Sequence, residues 1–277
     1  MSLLTILLAL LIERFVEALE TVRRHGWLSR YTAWLQGRLP FVGTDGFAGL
    51  ALVLLGPLLL IGLVGLALGW LHEVVAFLFG LAVLVWAIGP YCLPRRLEGY
   101  LEAREREDNA AAWRHAEGIL GPQRPETPEA TDCAVADAVL IGAERRLVGV
   151  CLWFVLLGPL GAVLYRLTAE LAAGDPERAT TAAATTVLAL LVWPSARLTA
   201  LGYMLAGSYA GALQAWRGHA QPWREGSDRL LADVGAGALD SGEACRDAPR
   251  QAYALAKRMA LIWLTVLALL VIAGLVP

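Results

Sequence analysis

The chain has 277 residues, 57% hydrophobic and 17% charged, with a mean hydropathy of +0.56, against about 45–50% apolar and about 25% charged in soluble domains. A surplus of that size needs lipid to cover it, which sets a soluble globular fold aside. A net charge of −2, with no block of one sign long enough to make a basic arm, sets nucleic-acid binding aside as well.

The expected fold is therefore an all-α integral membrane protein with about 5–6 transmembrane or half-membrane helices and an amphipathic helical segment in the cytosol. A bilayer core of about 30 Å takes about 20 mostly apolar helical residues. The opening MSLLTILLALLIERF lacks the basic start and the A-x-A site of a cleaved signal peptide and reads as a retained helix over about 2–19. Its apolar part, 2–12, crosses only if the helix continues through Glu13, Arg14 and Glu17. Spans at about 47–70 and 74–93 complete an N-terminal membrane section, 1–94.

Residues 95–118, RRLEGYLEAREREDNAAAWRHAEG, set Leu97, Tyr100, Leu101, Ala112, Trp113 and Ala116 at helical spacing among many charges, which predicts one amphipathic helix. Glu98 and Glu102 are placed for ion pairs with arginines one turn away. After the break GPQRPETPEA comes TDCAVADAVLIGAERR, with Thr131 or Asp132 as the N-cap candidate. The whole of 95–146 is read as a cytosolic helical loop.

Residues 147–172 read as a plain span. Within it GPLGAVLYRL carries Gly158 and Gly161, small enough to let another backbone close in. The next stretch, about 183–213, is long enough to cross but holds Pro194 and Arg197; proline removes a backbone hydrogen bond, so a break at Pro194 is expected within the membrane section 147–213. A second cytosolic loop, 214–256, contains VGAGALDSG, whose Gly235 and Gly237 read as a flexible turn. The last membrane helix falls in 257–277. Two further glycine pairs, Gly65 with Gly69 and Gly207 with Gly211, read as helix packing.

Cytoplasmic connections near membrane helices collect arginine and lysine. With a periplasmic N-terminus and six crossings, the inside stretches 14–46, 94–146 and 214–257 hold nearly all the basic residues, while the outside connections near 72–73 and 174–181 hold only Arg178. Cys92, Cys133, Cys151 and Cys245 show no C-x-x-C spacing, so no disulfide framework is expected. His25, His72, His115 and His219 are scattered, and neither a metal site nor a cofactor is expected.

Charge inside a bilayer costs about 2.5–3.5 kcal/mol on insertion scales, which singles out Glu13, Arg14, Arg166 and Arg197. The plain alternative for each is a helix end whose charged head snorkels to the interface. A helix broken at Pro194 would free backbone N–H groups that, with Arg197, favour an anion. Arg197 could equally pair with Glu13 to hold helices together, and Arg166 with Glu13 or with Glu170 one turn on. No G-x-x-x-x-G-K-[ST] and no G-x-S-x-G motif is present.

LLTILLALLIERF, GPLGAVLYRL and VWPSARLTALGYMLAG, taken in order over most of the chain, resemble stretches of the AmpE branch of the CobD/CbiB family. The resemblance implies a protein of the bacterial inner membrane, multi-pass as the hydropathy predicts, and the arginine distribution leaves its N-terminus periplasmic and its large loops cytoplasmic. It also implies a signalling or accessory role in β-lactamase induction, tied to cell-wall recycling, with no defined reaction. Glu13, Arg14, Tyr165, Arg166, Pro194 and Arg197 become the ligand-binding candidates, with a small anionic ligand and the bilayer as partners and no protein partner identified.

The CobD/CbiB side of the resemblance implies an alternative: a membrane-embedded amide ligase that joins an aminopropanol unit to a corrinoid acid, like adenosylcobinamide-phosphate synthase. Those enzymes carry Gly-Asp-Pro followed by His-Pro near the N-terminus and Glu-Asn-x-x-Asp before the Gly-Pro helix. Here the first motif is absent and the second region reads IGAERRLVG, so the carboxylates for metal-assisted nucleotide chemistry are missing. A small transporter is a third reading, resting on the expected break at Pro194.

Overall fold

The structure, a computed structural model, describes residues 5–9, 26–38, 46–89, 93–122, 124–175, 178–219, 226–239 and 245–274. Glu13 and Arg14 lie outside the described residues. The described chain is helical, without a β-strand. In order its longer helices are α1 (Gly26–Arg38), α2 (Gly46–Leu71), α3 (Glu73–Ile88), α4 (Leu93–Glu105), α5 (Asn109–Leu120), α6 (Pro128–Ala143), α7 (Gly149–Leu157), α8 (Pro159–Ala172), α9 (Ala179–Ala206), α10 (Tyr209–Gly218), α11 (Ser227–Ala238) and α12 (Ala248–Ile272). A π-helical turn, Glu144–Val148, joins α6 to α7, and a 3-10 turn, Cys245–Asp247, leads into α12.

Among the described residues four helices are long and apolar enough to cross a membrane: α2, the one that starts with α3, α9, and the one ending at Ile272. At 1.5 Å per residue the 26 residues of α2 reach about 39 Å, more than the hydrocarbon core. Its outward side chains are apolar, with Leu63 and Leu66 65% and 66% exposed, a surface suited to lipid rather than water.

The chain forms two compact units. The first combines Met1–Pro90, Gly149–Val192 and Leu270–Pro277. Its core gathers Leu28 of α1, Leu50 and Leu54 of α2, Val83 of α3, Val163 and Leu167 of α8, and Ala183 and Ala184 of α9. Helix α3 follows α2 almost at once because His72 caps it, its Nδ1 accepting the Val74 N–H at 3.2 Å.

The stretch 147–172, expected as one span, is instead folded back on itself. Helices α7 and α8 meet at Gly158, whose φ of 64° lies in the left-handed region open to glycine, and Pro159 starts α8 where no N–H is needed. A Cβ on Gly149 would lie 2.5 Å from the Tyr165 ring, and one on Gly161 would lie 2.0 Å from the Trp153 carbonyl oxygen. Residue 149 thus faces 165 and 153 faces 161, the pairing of an antiparallel helical hairpin. Its arms of nine and 14 residues measure about 13 and 21 Å.

The expected break at Pro194 is also absent: α9 runs from Ala179 to Ala206 with the proline inside it. Proline offers no N–H to the Leu190 oxygen one turn back, and side chains donate to other carbonyls of the helix. Trp153 Nε1 donates to the Leu191 oxygen at 3.0 Å, Arg197 Nη1 to the Trp193 oxygen at 3.1 Å, and Trp263 Nε1 to the Leu198 oxygen at 3.2 Å. Bonds from Trp153 and Trp263 thus fasten α9 on either side of the proline.

The second unit combines Tyr91–Val148 and Trp193–Leu269. The single helix expected over 95–118 is divided at Glu107, whose φ is 59°, and Asp108 caps α5 by accepting from the Ala110 and Ala111 N–H groups at 3.1 and 2.9 Å. The cap of α6 is Thr127, accepting from Ala130 at 3.1 Å with Pro128 behind it, so Thr131 and Asp132 stand inside the helix. Gly235 and Gly237 are no flexible turn: they lie in α11, and a Cβ on Gly211 of α10 would come within 2.3 Å of the Gly237 oxygen.

A disulfide, not expected from the cysteine spacing, joins Cys133 of α6 to Cys245, with the Cα atoms 5.3 Å apart across 112 residues of sequence. So long a separation leaves no local pattern to read.

Gly161→Ala should lower the stability of the detergent-solubilised protein by about 1–3 kcal/mol or more, because the new methyl must push Trp153 away. Gly69→Ala, with nothing within 4 Å of the added Cβ, should leave it unchanged or raised by up to about 1 kcal/mol. Thermal unfolding of both variants checks the hairpin.

Candidate functional site

In the first unit α8 carries Arg166 and Glu170 one helical turn apart, so their side chains meet. Arg166 Nε donates to Glu170 Oε1 at 2.8 Å, and both are largely shielded from solvent. The guanidinium lies over Gly89, 3.5 Å from where a Cβ would stand, at a φ of 78° that suits glycine. This pair lines a cavity of about 490 Å³. Leu28, Leu50 and Val53 give the cavity an apolar side, Thr32, Thr180 and Thr181 supply hydroxyls, and Asp175 and Arg178 add a second charged pair 3.7 Å apart. That second pair is half exposed, and such pairs add little stability.

The volume suits a small organic molecule. Arg166 presents a planar set of donors that matches a carboxylate or phosphate, and Glu170 holds it in place; an anion that binds there competes with Glu170 for the same fork. Among the described residues no three His, Cys, Asp or Glu side chains gather as a metal site.

Of the six candidate positions, the cavity takes Arg166. Tyr165, one residue earlier, is buried to 1% exposure with its ring under Gly149, so it shapes the hairpin. Pro194 and Arg197 belong to the second unit. The Arg197 guanidinium sits 4.0 Å from the centre of the Trp193 ring and donates to that residue's carbonyl, so it closes a turn of its own helix. The expected pairing of Glu13 with Arg166 or Arg197 falls outside the described residues, whereas the Glu170 partner of Arg166 is present.

Two buried acids of the second unit escaped the sequence reading. Asp132, with no exposed surface, accepts the Tyr100 hydroxyl at 2.5 Å and Arg104 through Nε at 3.0 Å and Nη2 at 2.6 Å. Glu144, equally buried, starts the π-helical turn and accepts the Ser195 hydroxyl at 2.5 Å. There the Glu144 N–H turns to the Ile141 oxygen, and Tyr203 donates its hydroxyl to the Leu140 oxygen at 2.7 Å. Such turns recur at functional sites. The signal was available: Asp132, Ala136, Leu140 and Glu144 recur every four residues on one buried face, and an acid on an apolar stripe needs a partner.

On α6, Asp137 is half-buried; burial raises its pKa, and the Asp233 carboxylate of α11 raises it further. Asp233 itself meets His219 Nε2 at 2.7 Å. Ionised Asp137 therefore costs the folded state stability at neutral pH, and the cost disappears as falling pH protonates it. Asp137→Asn should raise the melting temperature at pH 7, with the gain gone below about pH 4, where the carboxyl is protonated folded or unfolded; a gain that persists in acid contradicts this. Asp132→Ala should cost about 3–5 kcal/mol, since it strands a largely buried guanidinium, as chemical or thermal unfolding would record.

The family described as Regulatory signalling modulator protein AmpE matches residues 1–276. Two curated proteins, both named Cobalamin biosynthesis protein CobD, are similar. The one from Stutzerimonas stutzeri (strain A1501) is 32% identical over 222 residues, covering 77% of this chain and 66% of that protein. The one from Chromobacterium violaceum is 31% identical over 164 residues, covering 57% of this chain and 53% of that protein. The chain thus spans between half and two thirds of these relatives. No solved structure matches. The long apolar helices are consistent with a membrane protein, and the match over residues 1–276 places the chain in the AmpE family.

Proposed function

We propose that this protein is a multi-pass component of the bacterial inner membrane that modulates signalling between cell-wall state and β-lactamase expression, without a reaction of its own. The family match over residues 1–276 supports the signalling role. The observation that carries a ligand-responsive version of it is the Arg166–Glu170 pair in a cavity of about 490 Å³: a small anionic ligand displaces Glu170 from the guanidinium, and the exchange of partners is the signal. The arginine content of 94–146 and 214–257 favours the cytoplasm for those two stretches, with the N-terminus periplasmic.

A second reading, a membrane-embedded ligase of the CobD/CbiB type, draws support from the 32% identity to a protein named for cobalamin biosynthesis. Against it stands IGAERRLVG, where Arg145 and Arg146 follow the one acid. The transporter reading rested on a break at Pro194, and α9 is unbroken there.

The test is a gene deletion complemented with wild type or with Arg166→Ala, followed by measurement of β-lactamase induction and of corrinoid output in the same cultures. Deletion should change induction several-fold, Arg166→Ala should fail to restore it while still inserting in the membrane, and corrinoid output should not move. Normal induction with lost corrinoid would establish the ligase instead.

A further inference from the structure

We propose that Cys133 and Cys245 form a thiol–disulfide exchange site that senses a disulfide-bearing oxidant on the cytoplasmic side of the membrane. The inference rests on the cytoplasmic placement of 94–146 and 214–257 given above.

Both cysteines are partly exposed and belong to those stretches, one on α6 and one in the turn that starts α12. Disulfides in reducing compartments are mostly transient, serving catalysis or redox sensing, whereas permanent ones belong outside. Arginine-rich stretches that face the cytoplasm and close a disulfide therefore call for a reversible bond.

The two ends of the bond are held very differently. Beside Cys133, Asp132 is wholly buried and anchored by Arg104 and Tyr100, so this side is fixed. Around Cys245 the chain is a short turn with Arg246 and Asp247 exposed. Beyond it, Arg250 of α12 reaches Glu105 of α4 at 2.6 Å, with both side chains more than 60% exposed, and an ion pair so wet holds little. With the thiols reduced, the turn Cys245–Asp247 is held only by that ion pair and by the packing of Ala248, Pro249 and Ala252 behind it; with the bond closed, it is also locked to α6. Because α12 continues into a helix apolar enough to cross the membrane, the lock acts at the entry of that helix.

In the exchange the Cys245 thiolate attacks one sulfur of the oxidant's disulfide, forming a mixed disulfide and releasing one thiolate. Cys133 then attacks the Cys245 sulfur, closes the intramolecular bond and releases the second thiolate. Two electrons pass to the oxidant, whose two thiolates take up the two protons lost by the cysteines. A dithiol reverses both steps.

The experiment uses the full chain with Cys92→Ser and Cys151→Ser, so that only this pair remains, in growing cells before and after diamide. Acid quenching, blocking of free thiols and tagging of the reducible ones count the bond. In membranes from the same cells, oxidised and reduced glutathione set its state while trypsin cleavage after Arg246 and Arg250 is timed. A Glu107→Cys variant lacking the other cysteines, probed with an impermeant maleimide on intact spheroplasts, reports the side independently.

The expected result is a reduced pair in unstressed cells, oxidation by diamide that reverses on washout, and trypsin cleavage slowed about five-fold or more in the oxidised form, as fits a locally opening segment. A pair that never forms the bond, or that stays bonded in unstressed cells while Glu107→Cys is shielded, overturns the exchange site alone. A bond that is permanent while Glu107→Cys is labelled from outside overturns the exchange site together with the orientation it rests on.

Discussion

A hydrocarbon environment offers no hydrogen-bond partner to a backbone carbonyl, and each one left bare there costs several kcal/mol. Helix α9 meets this constraint at its hardest point, because Pro194 cannot donate to the preceding turn. Three side chains fasten the helix near the proline, each by a bond to a carbonyl other than the Leu190 oxygen that Pro194 leaves without its N–H. Trp153 and Trp263 reach the Leu191 and Leu198 oxygens, and Arg197 lies on its own Trp193 while donating to the carbonyl beneath. Indole suits the task because it buries a large ring and needs only one acceptor. The same economy recurs at the π-helical turn, where the Tyr203 hydroxyl serves the Leu140 oxygen. Arg197, a ligand candidate by sequence, thus lies along its own helix.

Charge is managed by pairing as well. Asp132 accepts three donors, Glu144 takes Ser195, and Arg166 takes Glu170. A ligand for the first unit's cavity must therefore offer Arg166 a better acceptor than Glu170, and the difference between the two bonds, not the full strength of either, drives binding.

Much of the fold was legible. Hydropathy over 20 residues finds α2, α3 and the apolar part of α12, because a long greasy run has few alternatives to lipid. The Arg166–Glu170 pair was legible from four-residue spacing. The hairpin of α7 and α8 was not, because averaging hydropathy over 147–172 sums both arms and the Gly158–Pro159 turn between them into one apolar stretch. Pro194 misled for the opposite reason: the local rule for proline is sound, but donors from Trp153 and Trp263 are distant in sequence. Thr131 and Asp132 looked like caps until Thr127, followed by Pro128, took the role, and Cys133 with Cys245 carried no spacing signal across 112 residues. The contacts of Trp153, Trp263 and the two cysteines stayed hidden because they join residues far apart along the chain, whereas the Thr127 cap and the Gly158–Pro159 turn are local; Glu13 and Arg14 lie outside the described residues.

The most direct test of this account is amide hydrogen exchange along 179–206 with the protein in lipid nanodiscs. An unbroken α9 fastened by Trp153 and Trp263 predicts slow exchange on both sides of Pro194, with faster exchange near residue 195 once Trp153 is replaced by phenylalanine. Fast exchange between 191 and 199 in the unaltered protein would show a broken helix and contradict the account.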